Sequence, residues 1–134
     1  MIRYIVVSIF SGVLFGVMDG VVNVNPLASK LYIVFRPIAK TYINVPAGVL
    51  IDLFYGFVMA WLFLTLYNSL PGRGALIKGL SFGLIAWFFR TVMYVATHWM
   101  MLHIPAGTLT YILMTGLAEM LILGVFYGLT LKSQ

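Results

Sequence analysis

The sequence predicts an all-α polytopic membrane protein with four transmembrane helices arranged as two antiparallel hairpins. Of the 134 residues, 63% are hydrophobic and 8% are charged, whereas soluble domains carry about 25% charged residues. Four apolar stretches also reach the roughly 20 residues that a helix needs to cross a hydrocarbon core of about 30 Å. Because these stretches use nearly the whole chain, we expect a single transmembrane domain over residues 1–134 and no soluble catalytic domain.

The predicted spans are separated by one long connection and two short turns. The long connection is the segment 23–45, and the turns are "NSLPGRGA" and "MLHIPAG", whose glycine and proline content favours tight reversals. Similarity between "VPAGVLIDLFYG" and "IPAGTLTYILMTG", and between "GVLFGVMDG" and "GLSFGLIAW", suggests that the two hairpins are related by duplication. The spans are predicted at about residues 4–22, 46–67, 75–102 and 108–131.

The long connection is predicted to contain a short interfacial helix over residues 26–35. Asn25 followed by Pro26 is typical of an N-cap and a first helical turn, and Pro37 disfavours helix at the residue before it. On such a helix the apolar side chains enter the lipid and the basic ones meet the headgroups. The expected lipid contacts are Leu27, Leu31 and Phe35, and the expected headgroup contacts are Lys30, Arg36 and Lys40.

Charge and composition limit the kinds of partner and cofactor that the chain is expected to bind. The formal charge is +5, and the basic residues are scattered at span ends, which indicates membrane lipids rather than nucleic acid as partners. The chain has no cysteine, so disulfides and thiol chemistry are excluded. His98 and His103 are five residues apart and do not share a helical face, so we expect no metal and no cofactor. The positive-inside rule favours both termini in the cytoplasm.

Small residues recur at steps of four in every span, which lets membrane helices approach closely. In the second span one member of the stripe is Asp52, which we therefore expect to face protein rather than lipid. The stripes indicate packing within one bundle or an interface with a second copy or a larger complex. The predicted packing glycines are Gly12, Gly16, Gly20, Gly48, Gly56, Gly124 and Gly128, with Gly79 and Gly83 extending the pattern.

Arg90 and Glu119 are predicted to form an ion pair within the membrane. Arg90 lies 14 residues before Ile104 in the turn of the second hairpin and Glu119 lies 15 after it, so antiparallel helices bring them to the same depth. Tyr94 and Thr115 follow on the same faces and are expected as hydrogen-bond neighbours. The full stripes are Arg90, Tyr94, Thr97 and His98 on the third span, and Glu119, Thr115, Tyr111 and Thr108 on the fourth.

The remaining acids and most of the other unusual polar residues lie in one half of the bilayer. Asp19 and Asp52 lie on the same membrane side because the first span ends where the second begins. Asparagines and histidines near the first and third loops add to this half. We expect a polar vestibule that opens on that side, narrows toward the ion pair, and forms a ligand or proton site, since intramembrane charges usually serve a function. A purely structural ion pair is the alternative.

Three sequence features are similar to a family of small four-span bacterial inner-membrane proteins of uncharacterised function. They are a first span that ends "LFGVMDG", a basic linker that contains "KLY", and a second hairpin that opens "ALIKGLSFGLIAW". The resemblance covers most of the chain. It implies four spans and a bacterial inner membrane, and it implies no activity.

Three functional hypotheses stay open at this point. The chain binds or transports a small polar or amphipathic ligand in the polar half of the membrane, or it is an accessory subunit that stabilises a larger membrane complex. The third hypothesis is an intramembrane enzyme that acts on an isoprenoid or lipid, for which carboxylates among aromatic residues are suitable. No catalytic set is recognisable in the sequence, which favours the two non-enzymatic hypotheses.

Overall fold

The computed structural model describes residues 1–39 and 44–131, and within these residues the chain is helical with no strand. Four helices are long and apolar enough to cross a membrane, which confirms the all-α polytopic class. The α-helices are α1 (Ile2–Asn23), α2 (Pro26–Leu31), α3 (Val45–Leu66), α4 (Ala75–Trp87), α5 (Met93–Met101) and α6 (Ala106–Thr130). Lys40, an expected headgroup residue, lies outside the described residues.

Each hairpin is held together by close backbone contact at glycines. In the first hairpin a Cβ at Gly56 would lie 2.5 Å from the carbonyl oxygen of Ser8, and one at Gly12 would lie 2.8 Å from that of Asp52. In the second hairpin a Cβ at Gly124 would overlap the carbonyl oxygen of Gly79. These positions leave no room for a side chain, so the antiparallel pairs α1/α3 and α4/α6 approach as closely as small residues allow.

Two glycines predicted to pack do not do so. A Cβ at Gly20 or Gly48 would meet nothing within 4 Å. Gly20 lies near the end of α1 and Gly48 near the start of α3, and the space beside each of them is open. The packing predicted from the spacing is therefore wrong for Gly20 and Gly48, which lie near the first loop. It is right for Gly12, Gly16, Gly56, Gly124 and Gly128.

The two hairpins meet through side chains rather than backbone. At the membrane side that contains the termini, the Phe63 ring contacts Phe82 and Tyr127 at centroid distances of 5.4 and 5.8 Å. Further along, the hydroxyl of Tyr55 donates to the sulfur of Met120 at 3.4 Å. Phe63, Phe82 and Tyr127 are buried, so this aromatic cluster forms the core where the hairpins join.

The third span is interrupted by a π-helical turn at Phe88–Val92. Its α-helix ends at Trp87, and the amide of Met93 donates to the carbonyl of Phe88, five residues earlier. A π-turn contains one extra residue per turn and is frequent at functional sites. The sequence predicts a continuous helix here, and the interruption lies at Arg90.

The segment between the first two spans differs from the predicted interfacial helix. As predicted, Asn25 caps α2 by accepting the amide of Ala28 at 2.8 Å, with Pro26 in the first turn. The helix ends at Leu31, and a 3-10 helix follows over Ile33–Ile38. Leu27, Lys30 and Arg36 are exposed, as expected of residues facing lipid and headgroups.

Candidate functional site

The π-helical turn and the middle of α6 bring the two central charges together. Nη1 of Arg90 lies 3.7 Å from Oε2 of Glu119, so the ion pair predicted from the hairpin register is present. The Glu119 side chain is 5% exposed and that of Arg90 is 35% exposed. The carboxylate is therefore buried between helices, while the guanidinium keeps an open side.

Arg90 also contacts the first hairpin through two aromatic rings. Its Cζ lies 4.8 Å from the centroid of Phe15 and 5.8 Å from that of Tyr55, and those two rings stack on each other at 4.5 Å. Guanidinium groups are attracted to aromatic faces at such distances. The guanidinium thus links the hairpins, an interaction for which sequence spacing carries no signal because Phe15 and Tyr55 lie on other spans.

A cavity of about 450 Å³ opens beside the ion pair, within the range of about 300–1,000 Å³ usual for small-molecule sites. Of the predicted site residues, the structure brings Asp19, Arg90, Tyr94, Thr115 and Glu119 together in its wall. The cavity extends from the middle of the bundle toward the first and third loops. Among the described residues, no group of three metal-ligating side chains lies close enough to hold a metal ion.

Asp52 does not line this cavity, contrary to expectation. Its carboxylate lies over Gly16, in a separate groove of about 280 Å³ between α1 and α3. The groove is bordered by the exposed Val13, Val17 and Val49. All residues that line the groove belong to the first hairpin, and the Asp52 carboxylate lies against α1 there rather than in the cavity wall beside Glu119.

Tyr94 and Thr115, the expected hydrogen-bond neighbours of the ion pair, make other contacts instead. The hydroxyl of Thr115 donates to the carbonyl of Tyr111 at 2.7 Å, and the Tyr94 ring stacks on His98 at 3.9 Å. Thr97, also expected on the facing stripe, is exposed and donates to the carbonyl of Met93 at 2.8 Å. The paired polar stripes were predicted for a continuous helix, and the π-turn changes the direction in which residues beyond it face.

The mouth of the cavity is covered by the segment that was expected to lie in the membrane interface, with Leu31 and Phe35 in the lipid. Tyr32 and Phe35 are part of the cavity wall, and the edge of Tyr32 packs on Tyr111 at 5.6 Å. The backbone is fixed to α6 because Thr108 donates to the carbonyl of Leu31. Leu31 also packs against Gly107, at 3.6 Å from the position of a Cβ there. Leu31 and Phe35 therefore contact protein, which corrects the prediction.

Tyr32 stays a neutral phenol at this mouth. Burial, as the largest cause, together with the nearby Tyr111, Asp19, Glu119 and Tyr94 in that order, raises the pKa of Tyr32 to about 12. Two of these are carboxylates of the cavity wall. The residue therefore presents an uncharged ring and hydroxyl at physiological pH.

Thr91 is a further cavity residue that sequence reasoning missed. It is 3% exposed, and within the described part of the chain its hydroxyl has no hydrogen-bond partner. It lies against Gly116, at 2.6 Å from the position a Cβ would take there. In an ordinary helix a threonine can donate to the carbonyl one turn earlier, and the π-turn at Phe88–Val92 disrupts that arrangement.

Fold and site together define an all-α membrane protein with a charged cavity between two hairpins. No protein-family model matches this chain, and neither a curated protein nor a solved structure matches it. The resemblance to small bacterial inner-membrane proteins therefore stays a prediction.

Proposed function

We propose that this chain is a bacterial inner-membrane protein, with both termini in the cytoplasm, that binds a small polar or amphipathic ligand as part of a transport-type function. The observation that carries the proposal is a cavity of about 450 Å³ with an ion pair in its wall, halfway across the membrane-spanning helices. With this orientation, the cavity opens toward the side opposite the cytoplasm.

The exposures of the two charges favour a binding role over a purely structural one. Charged groups within a membrane are costly and usually mark a ligand or ion pathway. A pair that only fixes helix packing has no need of access, yet the Arg90 side chain is 35% exposed and lines the cavity. A ligand that enters from the mouth therefore reaches the exposed side of this guanidinium.

The test is native mass spectrometry of the tagged full-length protein, gently extracted from its own membrane. We expect a reproducible small-molecule adduct on the wild type. Thr115→Phe fills the cavity, because Thr115 is in its wall, and should remove the adduct. Ala118→Phe is the matched control, since Ala118 is exposed on the same helix, and should keep it. An adduct that persists in Thr115→Phe, or a wild type that carries none, contradicts the proposal.

The accessory-subunit hypothesis has one observation in its favour, the groove between α1 and α3. Gly12 and Gly16 form its floor, and Asp52 lies in it. A small-residue groove with a carboxylate is suited to a partner helix that offers a hydrogen-bond donor. Larger subunits that co-purify at fixed stoichiometry and dissociate in Asp52→Leu would favour this second function. The intramembrane enzyme stays a hypothesis, since no feature of the described residues specifies a reaction.

A further inference from the structure

The charges in the cavity wall are unbalanced, and this bears on the class of ligand. Two carboxylates, Asp19 and Glu119, line the cavity with one guanidinium, Arg90. Arg90 is already paired with Glu119 and lies over the rings of Phe15 and Tyr55. Among the described residues, Asp19 has no salt-bridge partner. The cavity therefore has one formal negative charge in excess, located toward its mouth.

Within residues 1–39 and 44–131, no basic side chain at the mouth compensates Asp19. Lys30 and Arg36 belong to the segment that covers the cavity, but both are exposed and neither is part of the cavity wall. The side-chain amide of Asn23 donates to the backbone carbonyl of Asp19 at 2.8 Å, which leaves the Asp19 carboxylate itself free for a ligand. A carboxylate at the edge of a low-dielectric cavity attracts a cation more strongly than one in water.

Aromatic rings surround the same region. Tyr32, Phe35 and Tyr94 are in the cavity wall with Asp19, and Tyr32 is held neutral as described above. Aromatic faces attract cations, and recognition of ammonium groups by several rings with a carboxylate is a frequent use of this interaction. The inner end of the cavity adds Thr91, whose buried hydroxyl lacks a partner among the described residues.

We propose that the cavity binds a small organic ammonium ion, whose charged head contacts Asp19 among the rings of Tyr32, Phe35 and Tyr94. The inference rests on the proposed binding function and narrows it to a ligand class. An anion is disfavoured because Arg90, the cation of the cavity wall, already has a carboxylate partner.

The test compares three probes of nearly equal shape by calorimetric titration of the full chain in lipid nanodiscs. The probes are choline, its neutral carbon isostere 3,3-dimethylbutan-1-ol, and the anion 3,3-dimethylbutanoate. We expect choline to bind at least about ten-fold more tightly than either other probe, as charge attraction and cation–π contact act on it alone. Choline that binds no better than its neutral isostere overturns the inference.

Variants of the full chain identify the residues responsible. Asp19→Asn should weaken choline binding about ten-fold or more, because it removes the unpaired carboxylate of the cavity wall. Asp52→Asn is the matched control, since Asp52 is a carboxylate of a neighbouring span outside the cavity wall, and should leave binding within about two-fold. If Asp19→Asn and Asp52→Asn weaken choline binding equally, the inference is contradicted. Size-exclusion profiles and melting temperatures verify that each variant is folded.

A second pair of variants keeps the test decisive if Asp19→Asn fails to fold. Tyr94→Leu removes the ring and should weaken choline binding several-fold more than Tyr94→Phe, which retains it. Tight binding of the anionic probe, lost in Arg90→Met, would show that the cavity binds ligands of the opposite charge. That result overturns the ammonium inference and leaves the proposed function standing. Absence of binding by all three probes, together with no adduct in native mass spectra, contradicts both.

Discussion

The two halves of the bundle, divided at about the middle of the membrane, are built on different principles. The half that contains the chain termini is closed by backbone contact at Gly79, Gly124 and Gly128 and by the aromatic cluster around Phe63. The half that contains the first and third loops is open, and side chains rather than backbone surround its cavity. The same four helices supply both halves, so the difference arises from which side chains each helix presents.

The closed half stabilises the bundle, and the open half forms the cavity. Lipid tails are as apolar as leucine, so the closed half obtains its stability from van der Waals contact between closely packed backbones. The open half gives up that contact to make room for polar side chains, and it relies on one ion pair and a covering segment. Substitutions in the closed half should therefore change stability, and substitutions in the open half, apart from those that break the ion pair, should mainly change binding.

The largest effect is expected at the closest backbone contact. Gly124→Ala places a Cβ against the carbonyl oxygen of Gly79, and we expect a loss of unfolding free energy at or above the upper end of the about 1–3 kcal/mol usual for overpacking. Gly20→Ala is the matched control, because its Cβ meets nothing within 4 Å. It should stabilise by about 0.5–1 kcal/mol. Denaturation in mixed micelles measures both, and equal effects would disprove the division into a closed and an open half.

An intermediate effect is expected at the ion pair. Arg90→Met leaves the Glu119 carboxylate, which is 5% exposed, without its partner. Breaking a fully buried pair costs about 3–5 kcal/mol, and we expect about 2 kcal/mol because Arg90 is partly exposed to the cavity. The double variant Arg90→Met/Glu119→Gln should recover more than half of that loss of unfolding free energy.

The control for the ion pair is Arg36→Met, which makes the same replacement at an exposed position of the 3-10 helix Ile33–Ile38. It should change the unfolding free energy by less than about 0.5 kcal/mol. If the losses of unfolding free energy caused by the Arg90 and Glu119 substitutions were strictly additive, the two side chains would not interact in the folded protein.

The smallest effect is expected at the covering segment. Thr108→Val removes the hydrogen bond to the carbonyl of Leu31, worth about 1 kcal/mol. We expect faster amide hydrogen exchange over residues 26–38, with the unfolding free energy of the bundle nearly unchanged. Thr97→Val is the control, since the hydroxyl of Thr97 bonds only within its own helix. Unchanged exchange in Thr108→Val would show that the segment is held by other contacts.

Much of the fold follows from the sequence because its signals are local. Length and hydropathy locate the four spans to within a few residues, and the Asn25 cap with Pro26 marks the start of α2. Glycine spacing identifies most of the contacts within each hairpin. It fails at Gly20 and Gly48, because a periodic stripe carries no information on where two helices diverge.

The site is predicted only in part because its decisive features are not periodic. Register in a short-turn hairpin is enough to pair Arg90 with Glu119. Asp52 shares a membrane side with Asp19, but which of two acids faces the cavity depends on the rotation of each helix about its axis. The covering role of Tyr32 depends on how the connection folds back over α6, and no spacing rule encodes that path.

Because of the π-helical turn at Phe88–Val92, the third span is sensitive to the number of residues that it contains. One extra residue within a turn rotates everything beyond it by about 100° relative to an uninterrupted α-helix. Removing a single residue there would restore the regular helical phase and turn the loop-side portion of the third span toward different neighbours, with no loop altered. The shape of the cavity therefore depends on a count of residues as well as on their identity, so a one-residue deletion is a larger change to this protein than most substitutions.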